Sequence, residues 1–332
     1  MVKVIRNKGS LLQRGFTLVE LFVALVIGLV LFAGVMSIFV GMRSTSAETS
    51  SYGELQENGR FAISLLTEDL LRQNFWGDFD GVFNTPAIAL APGLAAPGNE
   101  CNGGGLNNGT FPTGVGPFRT LWGEVVADAS PMGCFNDARI GSDVIQIKRV
   151  VSTPLAIAPA GNFHLVSNMS EGVLFTSGVV PAINNGRVWQ YQHHVYYVRD
   201  EAQGASGNTV PVLMQGQLTN QMAFAPVVDG IEMIRFMYGV DTTTDPTLLG
   251  YGTIDAYISA DNMTEALWNN AGGTRILAVK VYVLARNIMP DAKYTNTNTY
   301  QLGNLAVAVN DNYRRLLFSS TVTLFNAGVD SW

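Results

Sequence analysis

Between Leu18 and Val40 the chain has one ionisable side chain, Glu20; every other residue there is Leu, Val, Ile, Phe, Ala, Gly, Met or Ser. A helix of twenty-odd such residues, rising about 1.5 Å each, crosses a hydrocarbon core of about 30 Å. A cleavable secretory signal has a shorter apolar core and ends in a small-residue cut site. Here the run is too long for that, and the obvious processing site precedes it. Lys3, Arg6, Lys8 and Arg14 come before the first acid, Glu20. A basic start followed by an apolar run leaves the positive end in the cytoplasm.

The rest of the chain is not built like a helical bundle. Its 35 glycines, with many Asn, Ser and Thr, indicate a turn-rich β body. Charged residues make up 14%, against about 25% in an average soluble domain. That deficit suggests a surface covered by membrane at one end and by neighbouring subunits elsewhere. The net charge of −6 speaks against a nucleic-acid-binding face. Cys101 and Cys134, in an exported body, are compatible with one disulfide closing a loop of roughly 30 residues and contributing about 3 kcal/mol. Two unpaired thiols are the other reading.

From Met42 to about Asn74 there is no proline. Leu55, Ala62, Leu66 and Leu70, with Phe61 and Leu65 nearby, form an amphipathic stripe. Glu54, Glu57, Arg60, Glu68, Asp69 and Arg72 supply charges for the opposite face. One long helix is expected, apolar all round at first and one-sided later. A coiled coil is the alternative use of such a stripe, but the repeat is short and irregular. Within the apolar half, Ala24, Gly28, Ala33, Gly34 and Ser37 are small enough for close helix packing, while Gly28 and Gly34 equally serve as weak points.

Residues 80–116 are rich in Gly, Pro and Asn around Gly103-Gly104-Gly105 and read as a long, partly unordered loop, either a binding surface or a variable insertion. Strands are expected over 143–151, 187–199, 211–218, 227–240, 274–286 and 315–325, with a hairpin-type turn at Asn184-Asn185-Gly186. The expected architecture is α+β: one long amino-terminal helix on a mostly antiparallel β domain. The segments are a leader (1–15), a membrane half-helix (16–41), an amphipathic half-helix (42–75), a variable region (76–142) and a β-rich domain (143–332).

Gly15-Phe16-Thr17-Leu18-Val19-Glu20, followed by the apolar span, resembles the class III signal of type IV prepilins and pseudopilins. The resemblance implies cleavage after Gly15 by a membrane aspartyl prepilin peptidase, and N-methylation of Phe16. It implies that Glu20 pairs with the amino group of an adjacent subunit during docking. The plainer reading of Glu20 places it at the membrane interface, favoured by the helix dipole.

Leu55-Gln56-Glu57-Asn58-Gly59-Arg60-Phe61-Ala62 resembles the corresponding helix segment of PilW-type minor pilins. So do Leu70 to Gly77, Gln192 to Arg199, Val228-Asp229-Gly230-Ile231-Glu232, Tyr238-Gly239-Val240-Asp241, and the strand pair 275–287 with 314–326. Many relatives have a cysteine after the glycine that ends this helix; here the position is Asp78. The family implies a subunit that primes type IV pilus assembly at the filament tip. Its expected partners are other minor pilins, the major pilin, the prepilin peptidase/N-methyltransferase and the inner-membrane assembly platform. The expected location is the bacterial inner membrane, body in the periplasm, and then the pilus. A type II secretion pseudopilin of the J class and a membrane-anchored surface adhesin are the rivals.

No nucleophile elbow, phosphate-binding loop or metallohydrolase motif occurs, so neither an enzyme nor a cofactor is expected. His193 and His194 point to opposite faces of a strand and cannot share a metal easily; solvated histidines are expected. Asp241-Thr-Thr-Thr-Asp245 clusters carboxylates as a calcium loop does but lacks that spacing, and reads as a polar turn.

Overall fold

One helix, α1 (Leu18–Leu71), runs for 54 residues with no proline inside it. This computed structural model describes residues 15–79, 88–176, 178–203 and 207–325. Residues 1–14 of the leader, with its four basic residues, the start of the Gly/Pro-rich stretch and Asn326 onward lie outside them. Contacts divide the chain into two units, the first ending at Ser51 and the second beginning at Tyr52.

The helix stops a few residues earlier than expected. Asn74 takes the left-handed conformation (φ 57°) after Arg72 and Gln73 tighten the last turn onto the carbonyls of Asp69 and Leu70. Gly77 is required twice over: its backbone is left-handed (φ 70°), and a Cβ there would lie 2.3 Å from the Trp189 ring.

The β unit holds two main sheets. Strands β1 (Ile88–Leu90), β2 (Leu121–Val125), β3 (Asp143–Val150), β4 (Phe163–Ser167), β5 (Gly172–Thr176), β6 (Arg187–Gln203), β7 (Asn208–Leu218) and β8 (Met222–Asp229) form an eight-stranded sheet, antiparallel except where β1 meets β5. The long β6 organises it, pairing with β4 at its start, with β3 along Tyr191–Tyr196 and with β7 along His194–Gln203. Strands β9 (Ile231–Asp241), β10 (Ala256–Ser259), β11 (Arg275–Arg286) and β14 (Arg315–Thr323) form a four-stranded antiparallel sheet in the order β10–β9–β11–β14. A separate ribbon pairs β12 (Thr299–Leu302) with β13 (Leu305–Ala308), and α2 (Glu265–Trp268) is a single turn.

The run expected as one strand over 227–240 is two strands that belong to different sheets. The break is Gly230, at φ 77°, where a Cβ would sit 2.7 Å from the Arg286 carbonyl. Its amide donates to Pro211 and its carbonyl accepts from Arg286, tying one sheet to the other. The turn at Asn184-Asn185-Gly186 forms, with Asn185 left-handed, but links no hairpin: β5 pairs with β4 and β1, not with β6.

The glycine-rich stretch is another correction. In its part from Gly98 to Gly116, Cys101, Asn107, Asn108, Thr110 and Phe111 are all buried. Asn107 Oδ1 accepts from the amides of Thr113 and Gly114 and its Nδ2 donates to the Gly114 carbonyl, so the side chain replaces a missing ladder. A disulfide joins Cys101 to Cys134.

Candidate functional site

The amino-terminal end of α1 is capped by its own sequence. Thr17 Oγ1 accepts from the Glu20 amide at 3.3 Å, and Glu20 Oε2 accepts from the Thr17 amide at 2.9 Å and its hydroxyl at 3.0 Å. This is a capping box, in which each side chain satisfies backbone or side-chain donors of the other. Its T-x-x-E signal stands in the sequence itself. Phe16 is 89% exposed, and no described residue lies within 4 Å of where a Gly15 side chain would begin.

Along the membrane-length stretch, every described side chain from Leu18 to Val40 faces outward, and Gly28 and Gly34 have open space around them. A single apolar helix of this length is suited to membrane anchoring.

From Tyr52 the helix becomes one-sided. Leu55, Ala62, Leu66 and Leu70 are buried on the β unit, while Phe61 points out and is half exposed. The 55–62 segment works as a seat: Asn58 Nδ2 donates to the Asp229 carbonyl at 3.1 Å, and Gly59 lets the Phe318 ring approach until a Cβ would be 2.0 Å from it.

Asp69, expected on the polar face of the helix, is buried. Its carboxylate accepts from Arg149 Nε at 2.8 Å, His194 Nδ1 at 2.6 Å and the Tyr196 hydroxyl at 3.0 Å. Burial works against its charge, but the hydrogen bonds and charges of His194 and Arg149 prevail and hold its pKa at about 2. Glu232, in the Val228–Glu232 segment, is likewise a buried hub: it accepts from Arg315 at 3.0 Å and lies 3.7 Å from Arg286.

The histidines are not solvated. His193 is buried with Nε2 3.1 Å from Gln146 Oε1 and Nδ1 3.3 Å from the Thr110 hydroxyl, and burial pushes its pKa well down. His194, on the opposite face, meets Asp69, and His164 is buried beside Phe175 with its pKa lowered by burial. Lys148, buried on β3, donates to the Arg119 carbonyl at 2.9 Å over the Phe118 ring, and burial lowers its pKa strongly. No local sequence signal marks these residues, because their partners lie far away along the chain. Asp241 accepts from Arg275, Gly252 and Thr243, while Asp245 engages Thr247 separately. Among the described residues no group of three or more His, Cys, Asp or Glu side chains is placed to hold a metal.

The described residues present an apolar helix with a capped tip, whose second half is seated on the β unit. Residues 195–326 match the family described as Type IV Pilus-assembly protein W (PilW), and residues 11–36 match the prokaryotic N-terminal methylation motif. No curated protein and no solved structure matches the chain.

Proposed function

We propose that this chain, which matches the PilW family over residues 195–326 and the N-terminal methylation motif over residues 11–36, is a PilW-type minor pilin that primes type IV pilus assembly near the filament tip. The prepilin peptidase/N-methyltransferase cuts after Gly15 and methylates Phe16. The helix then leaves the inner membrane and joins a bundle of similar helices, alongside other minor pilins and the major pilin, on the inner-membrane assembly platform. The β body sits in the periplasm until it is carried to the surface.

One observation carries this reading: an apolar helix, exposed on every side, begins with an acid four residues after the expected new amino terminus. A carboxylate within a membrane costs about 2.5–3.5 kcal/mol near a helix centre and less near its end. Thr17 lowers that cost for one oxygen, Oε2. The neighbour's Phe16 amine supplies the charge partner when subunits dock. After extraction, van der Waals packing around the small residues replaces lipid contacts.

The test is Glu20→Leu in a strain lacking its own copy. The variant is expected to be inserted and trimmed but to leave the cells without pili. A mere anchor tolerates or prefers leucine there, so normal piliation with Glu20→Leu contradicts the proposal. A pseudopilin role would show instead as lost enzyme secretion with pili intact.

A further inference from the structure

Sheet edges are sites where another strand can add, and proteins guard them with short length, proline, bulges or charge. Most edges here are guarded. Strand β8 carries Pro226 beside a bulge in its ladder, β1 has three residues and β2 five. Strand β14 is different: nine residues, no break in its register with β11, no proline, and no charge from Leu316 to Thr323.

The phase of its hydrogen bonds is fixed at both ends. The Leu324 amide donates to Leu277 and the Asn287 amide to the Arg314 carbonyl. In an antiparallel pair both backbone groups of a residue point to the same side. Even-numbered residues of β14 are therefore paired with β11. Leu317, Ser319, Thr321 and Thr323 direct their N–H and C=O groups outward, where no partner meets them among the described residues.

We propose that this open edge receives β10 of a second copy, so that the four-stranded sheet continues from one subunit into the next. The strand order β10–β9–β11–β14 is antiparallel throughout, so β10 runs opposite to β14. A copy placed alongside in the same orientation presents β10 antiparallel to β14, the ladder type already present. Two β14 strands related by a two-fold axis would also pair antiparallel, but that axis stands perpendicular to the sheet. It would reverse the helix half that lies on the sheet through Gly59 and Phe318. Subunits whose helices leave one membrane must run the same way, which is where this inference rests on the assembly role proposed above. Ala256-Tyr257-Ile258-Ser259 carries no charge, so no like charges meet across the joint. The registers place Tyr257 on the same sheet face as Ser319 and Thr321.

The experiment uses the full chain in membranes. Cys101 and Cys134 are occupied by their disulfide, so a chain with Tyr257→Cys and a chain with Thr321→Cys each bring one free thiol. Under mild oxidation the mixed pair is expected to cross-link, and the cross-link is expected to be lost when Ser319→Pro is added to the Thr321→Cys chain. That proline removes an outward N–H and leaves the melting temperature unchanged, whereas Ser320→Pro removes an inward one and lowers it. A folded pair that fails to cross-link, cross-linking insensitive to Ser319→Pro, or cross-links only between two Thr321→Cys chains overturns the joint. Trimming at Phe16, read by mass spectrometry on the same sample, reports separately on the pilin assignment: trimmed chains that do not cross-link overturn the edge pairing alone.

Discussion

Asp69 on α1 and His194 on β6, 125 residues apart in sequence, are hydrogen-bonded side chain to side chain at 2.6 Å inside the protein. With Arg149 and Tyr196 on the same carboxylate, the contact locks the helix to the sheet. An acid there is costly unless fully paired, and removing one partner of such a network leaves a buried charge behind.

The depressed pKa of Asp69, about 2 against an ordinary 3.8, corresponds to about 2 kcal/mol of folding stability. Because the folded value is the lower one, that stability is complete above the ordinary aspartate range and is lost as pH falls through about 2. Asp69→Asn is expected to lower the urea midpoint at neutral pH. Its deficit relative to the parent chain should shrink steadily below about pH 4. A deficit independent of pH would contradict the charged clamp.

Glu124 on β2 has the opposite sign. Burial, and secondarily the charge of Asp128, raise its pKa to about 7. Its Oε1 is buried without a hydrogen-bond partner among the described residues. The folded chain therefore binds this proton more tightly than the unfolded one, and stability falls as pH rises from 4.5 towards about 7. Glu124→Gln is expected to be neutral in acid and stabilising by about 1 kcal/mol in mild alkali, a figure reduced for the group's partial exposure. Thermal melts at the two pH values check it.

Gly59 permits a close approach between helix and sheet, with a Cβ position 2.0 Å from Phe318. Alanine normally favours a helix over glycine by about 1 kcal/mol. Here Gly59→Ala is expected instead to destabilise, by about 1–3 kcal/mol, because overpacking prevails. Adding Phe318→Leu should recover most of the loss in a double-mutant cycle.

The Cys101–Cys134 disulfide closes a loop with a sequence separation of 33. Replacing both cysteines by serine is expected to cost about 3–4 kcal/mol. The loss should be concentrated around Thr110, whose hydroxyl lies against His193 and whose carbonyl accepts from Tyr191. Hydrogen exchange of the 98–116 segment would show it as faster opening there than in β6.

What the sequence made legible was whatever repeats locally. The uninterrupted apolar run announced the first half of α1, and the spacing of Leu55, Ala62, Leu66 and Leu70 announced the face of the second half that is buried. Alternation located most of the long strands, including β11 and β14, which pair as expected. Contacts between distant segments left no such trace. Asp69 looks like any surface acid until Arg149 and His194 arrive from the sheet. Asp229-Gly230 is a turn-type pair inside an otherwise strand-like run, but the change of sheet at Gly230 is set by the Arg286 carbonyl on another strand. The packing of the glycine-rich stretch likewise depends on Asn107 and Asn108 side chains bonding to backbone that local composition does not identify. At the amino terminus the capping box was legible in Thr17 and Glu20 themselves, whereas docking to a neighbour has no signature within one chain.

The most direct test is the identity of the first residue in the protein isolated from cells with an active prepilin peptidase. Intact-mass and peptide mass spectrometry should find N-methylphenylalanine at Phe16 and no trace of Met1 to Gly15. A chain that keeps those residues, under conditions where other pilins in the same cells are trimmed, would contradict the assignment and leave an anchored β protein in its place.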